Sequence, residues 1–190
     1  ALLMFTGDLM CQTRQQEAAK TEDGTYVFND SFSIVKNVFS HADFVAGNLE
    51  SLLSNTSPYM SEEKALGGEP HCNGPSTYLD ALKYAGFDAL VNANNHITDN
   101  GERGLLQTLD LLEKYKFAYT GSFRNKEEQR FLIVNVNGIK IALMSYSEKF
   151  NGKDITLDED VREIMINRYT KEALEKDVKD AKAMGAEYII

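Results

Sequence analysis

The chain has 190 residues, of which 43% are hydrophobic, and a formal net charge of −9. This size and composition suit one globular domain with a sizeable core and argue against a nucleic-acid-binding protein, because an acidic body repels phosphate backbones. An anionic small substrate would need a local source of positive charge, such as a bound metal ion.

Strands and helices alternate along the first half of the chain, and this predicts an α/β fold. Residues 2–7 are apolar throughout, as is typical of a central strand. Residues 31–40 predict a helix capped by Asp30 or Ser31. Its predicted inward face consists of Ile34, Val35, Val38 and Phe39. A second strand (43–50), a helix ended by Gly86 (75–86) and a third strand (87–93) follow.

The second half continues the alternation. Residues 101–116 form the most regular helical pattern, with Leu105, Leu109 and Leu112 in register. Asn137-Gly138 is a two-residue turn signal and predicts an antiparallel hairpin over residues 131–146. The last predicted elements are a helix over 158–166, a long helix from Thr170 to Gly185 and a strand over 187–190, whereas residues 51–72 have the composition of a loop.

Polar side chains follow three successive predicted strands. In open α/β sheets the ligand site lies beyond the carboxyl ends of the strands, so these side chains meet if the three strands are neighbours. Two carboxylates, an amide oxygen and an imidazole suit a divalent cation such as Mn, Mg, Fe or Zn. The residues concerned are, in chain order, Asp8, Asn48, Glu50, Asn94, Asn95 and His96.

Each of these residues also has a structural interpretation. Gly7-Asp8 is a common turn or cap, and Glu50 is compatible with a solvated carboxylate at a loop start. Asn94 and Asn95 are typical of an Asx turn, and His96 of a cap for the following helix. The pair His71-Cys72 has no second pair nearby, so we interpret it as structural or incidental.

Five segments, in this order, resemble the CapA-type poly-γ-glutamate capsule biosynthesis family, which looks like a branch of the calcineurin-like metallophosphoesterases. The resemblance spans nearly the whole chain and implies a single domain over residues 1–190, with two sheets face to face and helices outside, an α/β/β/α sandwich. The segments are FTGDLM (5–10), ADFVAGNLES (42–51), YLDALKYAGFDALVNANNHITDNGERGL (78–105), IALMSYSEKFNG (141–152) and DVKDAKAMGAEYII (177–190).

The resemblance also implies a site for one or two divalent ions (Mn, Fe, Zn or Mg). Asp8 matches the first metal-binding aspartate, and Glu50 matches the bridging or second-metal position. Asn95 matches the asparagine that ligates metal in the phosphoesterase Asn-His motif, and His96 matches its neighbour, which acts as an acid or orients the leaving group. Residues expected behind the ligands or against the substrate are Asn48, Asn94 and Asp99, the last steadying the histidine.

Two departures from the family pattern bear on metal binding. Met10 stands where phosphoesterases often place a histidine. The family continues past the strand that matches EYII into a His-Trp-Gly segment and a later histidine motif, whereas this chain has no Trp and ends at Ile190. We therefore expect a fold truncated at its C-terminus, with weak or no metal binding by this portion.

Two functions follow from the resemblance. One is metal-dependent hydrolysis or transfer on a phosphoester or a polyglutamate amide. The other is a non-catalytic component of capsule assembly that binds the polymer or its partner proteins, which Met10 favours. Both imply an anionic polymer or phosphoester partner and no nucleic acid. The family also implies a location at the cell envelope, with a membrane tether before Ala1. No apolar run in the chain itself approaches the roughly 20 residues of a membrane span.

Overall fold

The computed structural model describes residues 1–55 and 72–190, so the prediction for His71 lies outside the described residues. Helices and strands alternate as predicted, and no helix of the described residues has the length and apolarity needed to cross a membrane. The elements are β1 (Leu3–Leu9), α1 (Thr13–Ala19), α2 (Asn29–Phe39), β2 (Phe44–Leu49), β3 (Leu52–Leu53), β4 (Asn73–Gly74), α3 (Thr77–Ala85), β5 (Ala89–Val91), α4 (Gly101–Lys114), β6 (Ala118–Thr120), β7 (Leu132–Val136), β8 (Ile139–Leu143), a 3-10 helix (Asp154–Thr156), α5 (Glu159–Met165), α6 (Lys171–Ala183) and β9 (Tyr188–Ile189).

The strands form three sheets. The largest is parallel, in the order β1-β2-β5-β6, and β3 pairs with β4 in a small parallel sheet. The hairpin β7-β8 is antiparallel, as predicted, and β9 joins β8 in parallel. Asn137 and Gly138 both have positive φ, 54° and 87°, which is the requirement of the two-residue turn expected there. The short strands β3, β4 and β6 were not predicted, because two or three residues are too few to show a period.

The prediction that the first strand is central is wrong. Among the described residues β1 lies at the edge of the large sheet, and Phe5 is half exposed. An apolar run indicates that both faces of a strand are apolar. It does not show whether the strand lies at the edge or in the centre of the sheet. The register of β1 against β2 also shifts, since Phe5 pairs with Ala46 but Asp8 pairs with Asn48. This β-bulge of one residue places Asp8 directly opposite Asn48.

Apolar side chains join the layers of the fold. The large sheet packs against the sheet β7-β8-β9, which we call the hairpin sheet. The buried side chains between them are Phe44, Ala46 and Ala89 from the large sheet and Val136, Ile141 and Leu143 from the hairpin sheet. The other face of the large sheet is covered by α3 and α4. Their predicted inward positions are all buried, namely Tyr78, Leu79, Leu82, Ala85, Leu105, Leu109 and Leu112. Ala181 of α6 packs on Ala142 of the hairpin sheet, which completes an α/β/β/α sandwich.

The predicted inward face of α2 is wrong for three of its four residues, whereas the fourth, Phe39, does pack inward. Ile34 is 82% exposed and Val38 52% exposed, and Val35 is also exposed. The helix packs instead through two phenylalanines: Phe32 lies 5.9 Å from Tyr78 and Phe39 lies 5.1 Å from Phe87, between ring centroids. Aromatic rings bury more area than aliphatic side chains, so they set the rotation of the helix. The predicted side-chain cap by Asp30 or Ser31 is also wrong, because the capping residue is Phe28, which makes no side-chain cap bond.

Helix α6 begins after Thr170, as predicted, and the Thr170 side chain caps it. The hydroxyl oxygen of Thr170 accepts a hydrogen bond from the backbone N–H of Ala173 at 3.0 Å. Replacing Thr170 with alanine should therefore lower the free energy of unfolding by about 1 kcal/mol, measured by urea denaturation. The matched variant Thr170→Ser keeps the oxygen and should retain most of the stability; an equal loss in both variants would show that the cap bond is not the cause.

Candidate metal centre

Three strand ends meet at one edge of the large sheet. Because β1, β2 and β5 are adjacent and parallel, their carboxyl ends point the same way. Asp8 pairs with Asn48, and Asn48 pairs with Val91 of β5. The polar residues that follow each strand are therefore neighbours in space, as the sequence pattern predicts.

Amide side chains tie these strand ends together. Asn48 Nδ2 donates to Asp8 Oδ1 at 2.8 Å, and Asn94 Nδ2 donates to Asn48 Oδ1 at 3.0 Å and to the Leu49 carbonyl at 2.8 Å. Asn94 Oδ1 in turn accepts the backbone N–H of His96 at 3.0 Å, which is the Asx turn considered as an alternative. Asn48 and Asn94 thus fix the direction of Asp8 and the backbone before His96.

The carboxylates of Asp8 and Glu50 lie close enough to share a hydrogen bond. Bonds from Asn48 and Glu50 lower the pKa of Asp8, whereas burial and the adjacent Asp8 raise the pKa of Glu50 to about 7. Glu50 is buried, so the interpretation of a solvated carboxylate is wrong. Burial and the neighbouring Asp8 thus oppose ionisation of Glu50, and a divalent cation bound by both carboxylates would relieve that repulsion.

A buried carboxylate holds the imidazole of His96. His96 Nδ1 lies 2.8 Å from Asp99 Oδ2, and Asp99 also accepts the Cys72 backbone N–H at 2.6 Å and Lys153 Nζ at 3.1 Å. The bond to Asp99, then a bond to Cys72, raise the pKa of His96 to about 10 against the opposing effect of burial. His96 Nε2 lies 4.0 Å from Glu50 Oε1. The imidazole is therefore protonated at neutral pH, with Nε2–H on the side of Glu50.

Cys72 and Lys153 are the two site residues that the sequence analysis missed. Of the two interpretations of Cys72, structural or incidental, the structure favours the structural one, since one ligand atom from each of Cys72, His96 and Asp99 lies within 4.8 Å of the others. Pairing of β3 with β4, in which Leu52 faces Asn73, carries Cys72 to this position. The three residues have the composition of a small metal-binding group. Because Asp99 already accepts hydrogen bonds from its neighbours, we interpret them first as a support for the imidazole.

Asn95 makes a side-chain contact with the loop after β8. It is half-buried, and its side-chain amide donates to Asn151 Oδ1 at 3.4 Å. The structure thus brings Asp8, Glu50 and His96 together, with Asp99 behind the imidazole, and places Asn95 against the loop after β8.

The raised pKa of His96 predicts a pH-dependent stability for the chelator-treated protein. Its folded pKa of about 10 exceeds the ordinary 6.5, so its contribution is complete below about pH 6.5 and is lost as the pH rises to about 10. Asp99→Asn removes the main cause of the shift. The difference in free energy of unfolding between wild type and Asp99→Asn should therefore narrow from pH 7 to pH 10, measured by urea denaturation. A constant difference would contradict the assignment.

Comparison with known proteins identifies the family. The family model described as "Bacterial capsule synthesis protein PGA_cap" matches residues 2–190. The chain belongs to the PGA_cap family. The resemblance stated from the strand-end motifs is thereby confirmed.

Two curated relatives of this PGA_cap chain carry capsule-related names. "Capsule biosynthesis protein CapA" of Bacillus anthracis is 27% identical over 191 residues, which cover 99% of this chain and 44% of the relative. "PGA biosynthesis protein CapA" of Bacillus subtilis (strain 168) is 29% identical over 146 residues, covering 76% of this chain and 36% of the relative. The chain spans less than half the length of these relatives.

A solved structure shares the fold of this PGA_cap chain. The NAD nucleotidase NadN of Haemophilus influenzae superposes with a TM-score of 0.52 and 16% identity, over 85% of this chain and 27% of that one. At this identity the likeness concerns the fold alone. It confirms the α/β sandwich that the resemblance implied.

Proposed function

We propose that this chain contributes a divalent-metal site to capsule synthesis, at which a phosphoester or a polyglutamate amide is hydrolysed or transferred. The observation that carries the proposal is the grouping of Asp8, Glu50 and His96 at the strand ends, with His96 Nε2 4.0 Å from Glu50 Oε1. Membership of the PGA_cap family supports the capsule context.

The donors present fit a hard divalent cation. Asp8 and Glu50 offer two carboxylates, and Asn95 would add its amide oxygen, since its bond to Asn151 is donated by the amide nitrogen. When bound, one or two ions such as Mn, Fe, Zn or Mg supply Lewis acidity and lower the pKa of water. Their charge would also admit an anionic substrate to an acidic protein.

His96 is the proposed general acid. Its Nδ1–H is held by Asp99, so the imidazole cannot rotate freely and Nε2–H stays on the side of Glu50. From there it donates a proton to the leaving oxygen or nitrogen, a role worth roughly 10²–10⁴-fold in rate. Lys153 offsets the negative charge of Asp99, and Asn48 holds Asp8 in position.

The test is metal-dependent turnover. With Mn²⁺ added, the chain is assayed for hydrolysis of bis(p-nitrophenyl) phosphate and of poly-γ-glutamate. His96→Ala should lower turnover by roughly 10²–10⁴-fold, whereas His41→Ala, an exposed histidine after α2, should leave it unchanged. Absence of turnover of both compounds with every divalent metal tried would reject the catalytic proposal.

A second candidate is a polymer-binding component without catalysis. Met10 favours it, because in the family resemblance this position often holds a metal-binding histidine, and the Met10 sulfur instead accepts a bond from Gln12 Nε2 at 2.6 Å. This candidate expects intact binding of the polymer in the absence of turnover. For either candidate we propose a place at the cell envelope, with a tether outside this sequence and other capsule-assembly proteins as partners; cell fractionation tests the location.

A further inference from the structure

A second site-like feature lies outside the metal centre. A cavity of about 660 Å³ is lined by residues from the segment before β7, from α5 and the residues after it, and from α6. This volume is typical of ligand sites, which range over roughly 300–1,000 Å³. Its cationic lining residues are Lys126, Arg130, Arg162, Arg168 and Lys176, and we call it the basic cavity.

The basic cavity is positively charged in an acidic protein. Its five cations are accompanied by two carboxylates, Glu163 and Asp177, which leaves a local net charge of +3 against −9 for the whole chain. Asp177 is buried and already accepts the Tyr146 hydroxyl at 2.6 Å. One of the two carboxylates in the lining, that of Asp177, is thus already hydrogen-bonded.

One cation of the cavity is held rigidly. Arg130 Nη1 donates to the Ile164 carbonyl at 2.7 Å, and its guanidinium lies 4.1 Å from the centre of the Phe123 ring. Neutral carbonyls and a ring fix this guanidinium without cancelling its charge. A guanidinium held in this way is prepared to bind an anion, since little side-chain entropy is lost on contact.

Two further cations of the lining form no ion pair with any residue of the part of the chain that the structure describes. Within residues 1–55 and 72–190, neither Lys126 nor Arg162 forms an ion pair, whereas Arg168 pairs with Asp154 and Lys176 with Asp180. Like charges brought together without counterions repel one another. A ligand with negative charge would relieve this repulsion.

The positive region has a defined end. A neighbouring cavity of about 440 Å³ shares Lys126, Arg130, Lys176 and Asp177 with the basic cavity. Its own lining adds the carboxylates Glu127, Glu128 and Asp180, so that four carboxylates there outnumber three cations. A polyanion would be favoured in the first cavity and opposed in the second, which limits the bound stretch to a few charges.

One loop separates the basic cavity from the metal centre. The guanidinium of Arg168 lies 4.6 Å from the centre of the Phe150 ring. Three residues further along, Lys153 contacts Asp99 behind the imidazole of His96. Residues 150–153 thus contact both the lining of the basic cavity and the support of the imidazole.

We propose that the basic cavity binds a short run of carboxylates of an acidic polymer of the poly-γ-glutamate class. The inference rests on the proposed role in capsule synthesis. The cations come from three separate segments, which suits charges repeated along a chain better than the clustered charge of a phosphate. The apolar lining residues Ile164, Ile166 and Ala173 offer contacts for the methylene groups between successive carboxylates.

The test measures binding of a fluorescent poly-γ-glutamate oligomer by anisotropy at low salt, with a chelator present so that metal does not contribute. Arg162→Glu and Lys126→Glu should each weaken binding roughly tenfold or more. The control Lys179→Glu makes the same charge change on α6 outside the described lining and should alter binding by no more than about twofold. Thermal denaturation verifies that each variant is folded, and Arg162→Gln provides a milder substitution.

Three results would overturn the inference. Equal weakening by all three charge reversals would indicate non-specific attraction. Stronger binding of tripolyphosphate than of the oligomer, with the same dependence on Arg162, would indicate a phosphate site. Unchanged binding in both Arg162→Glu and Lys126→Glu would place the polymer outside the basic cavity. Because the assay contains no metal, failure of turnover alone rejects the catalytic proposal and leaves this inference standing.

Discussion

Replacing Asp8 with asparagine should weaken the binding of Mn²⁺ by roughly a hundredfold, because loss of a ligand costs at least as much as loss of a residue that supports one. Asparagine keeps the shape of the side chain and can still accept the hydrogen bond from Asn48. The substitution therefore removes the charge beside Glu50 with little change in the fold. Isothermal titration with Mn²⁺ measures the affinity, and turnover should fall with it.

The matched control for Asp8→Asn is Asp30→Asn. Both aspartates are exposed, and both changes remove one negative charge, but Asp30 lies in the first turn of α2. If both variants lose affinity equally, the effect comes from the net charge of the protein and not from coordination. Unchanged affinity in Asp8→Asn would remove Asp8 from the proposed site.

Replacing Gly121 with alanine should lower the free energy of unfolding by about 3 kcal/mol or more. Gly121 follows β6 and has a φ of 115°, which side chains disfavour. A Cβ there would lie 2.4 Å from the backbone nitrogen of Ala93 and 2.9 Å from Asn92 Oδ1. Neither atom can withdraw cheaply, because both belong to the segment that carries β5 into the candidate site. Urea denaturation measures the loss.

Gly24→Ala separates the two causes of that loss. Gly24 also has a positive φ, 82°, but a Cβ there would meet nothing within 4 Å. It should therefore show only the backbone cost, about 1–2 kcal/mol. A comparable loss in both variants would mean that the close approach at Gly121 is not important. Gly121→Ala should also weaken Mn²⁺ binding, because it displaces the segment leading to His96, whereas Gly24→Ala should not.

The meeting of Asp8, Glu50 and His96 was accessible from the sequence for a geometric reason. Parallel strands deliver their carboxyl ends to one edge, so polar residues after successive strands converge without any knowledge of the loops. The same reasoning cannot orient a side chain within the loop that follows. The resemblance placed Asn95 among the metal ligands and Asn94 behind them. In the structure Asn94 joins the strand ends, and the amide nitrogen of Asn95 bonds to Asn151.

Cys72 and Lys153 show where sequence reasoning ends. Cys72 lies 27 positions before Asp99 in the sequence, and Lys153 lies 54 positions after it. No sequence motif or spacing predicts that either residue contacts Asp99. The rotation of α2 was missed for a different reason. The pattern of Ile34 and Val38 is a valid helical period, but the period gives no weight to the larger area of Phe32, which is the side chain that packs.

The extra residue in β1 determines where a charge points. Because of it, Phe5 and Asp8 pair with Ala46 and Asn48, two residues on one side of β2, although they stand three positions apart. In an unbroken ladder the alternation of side chains would send the carboxylate to the opposite face, toward the helices. A point substitution can therefore remove the charge of Asp8, whereas moving the carboxylate to the other face of the sheet requires a change in the length of β1.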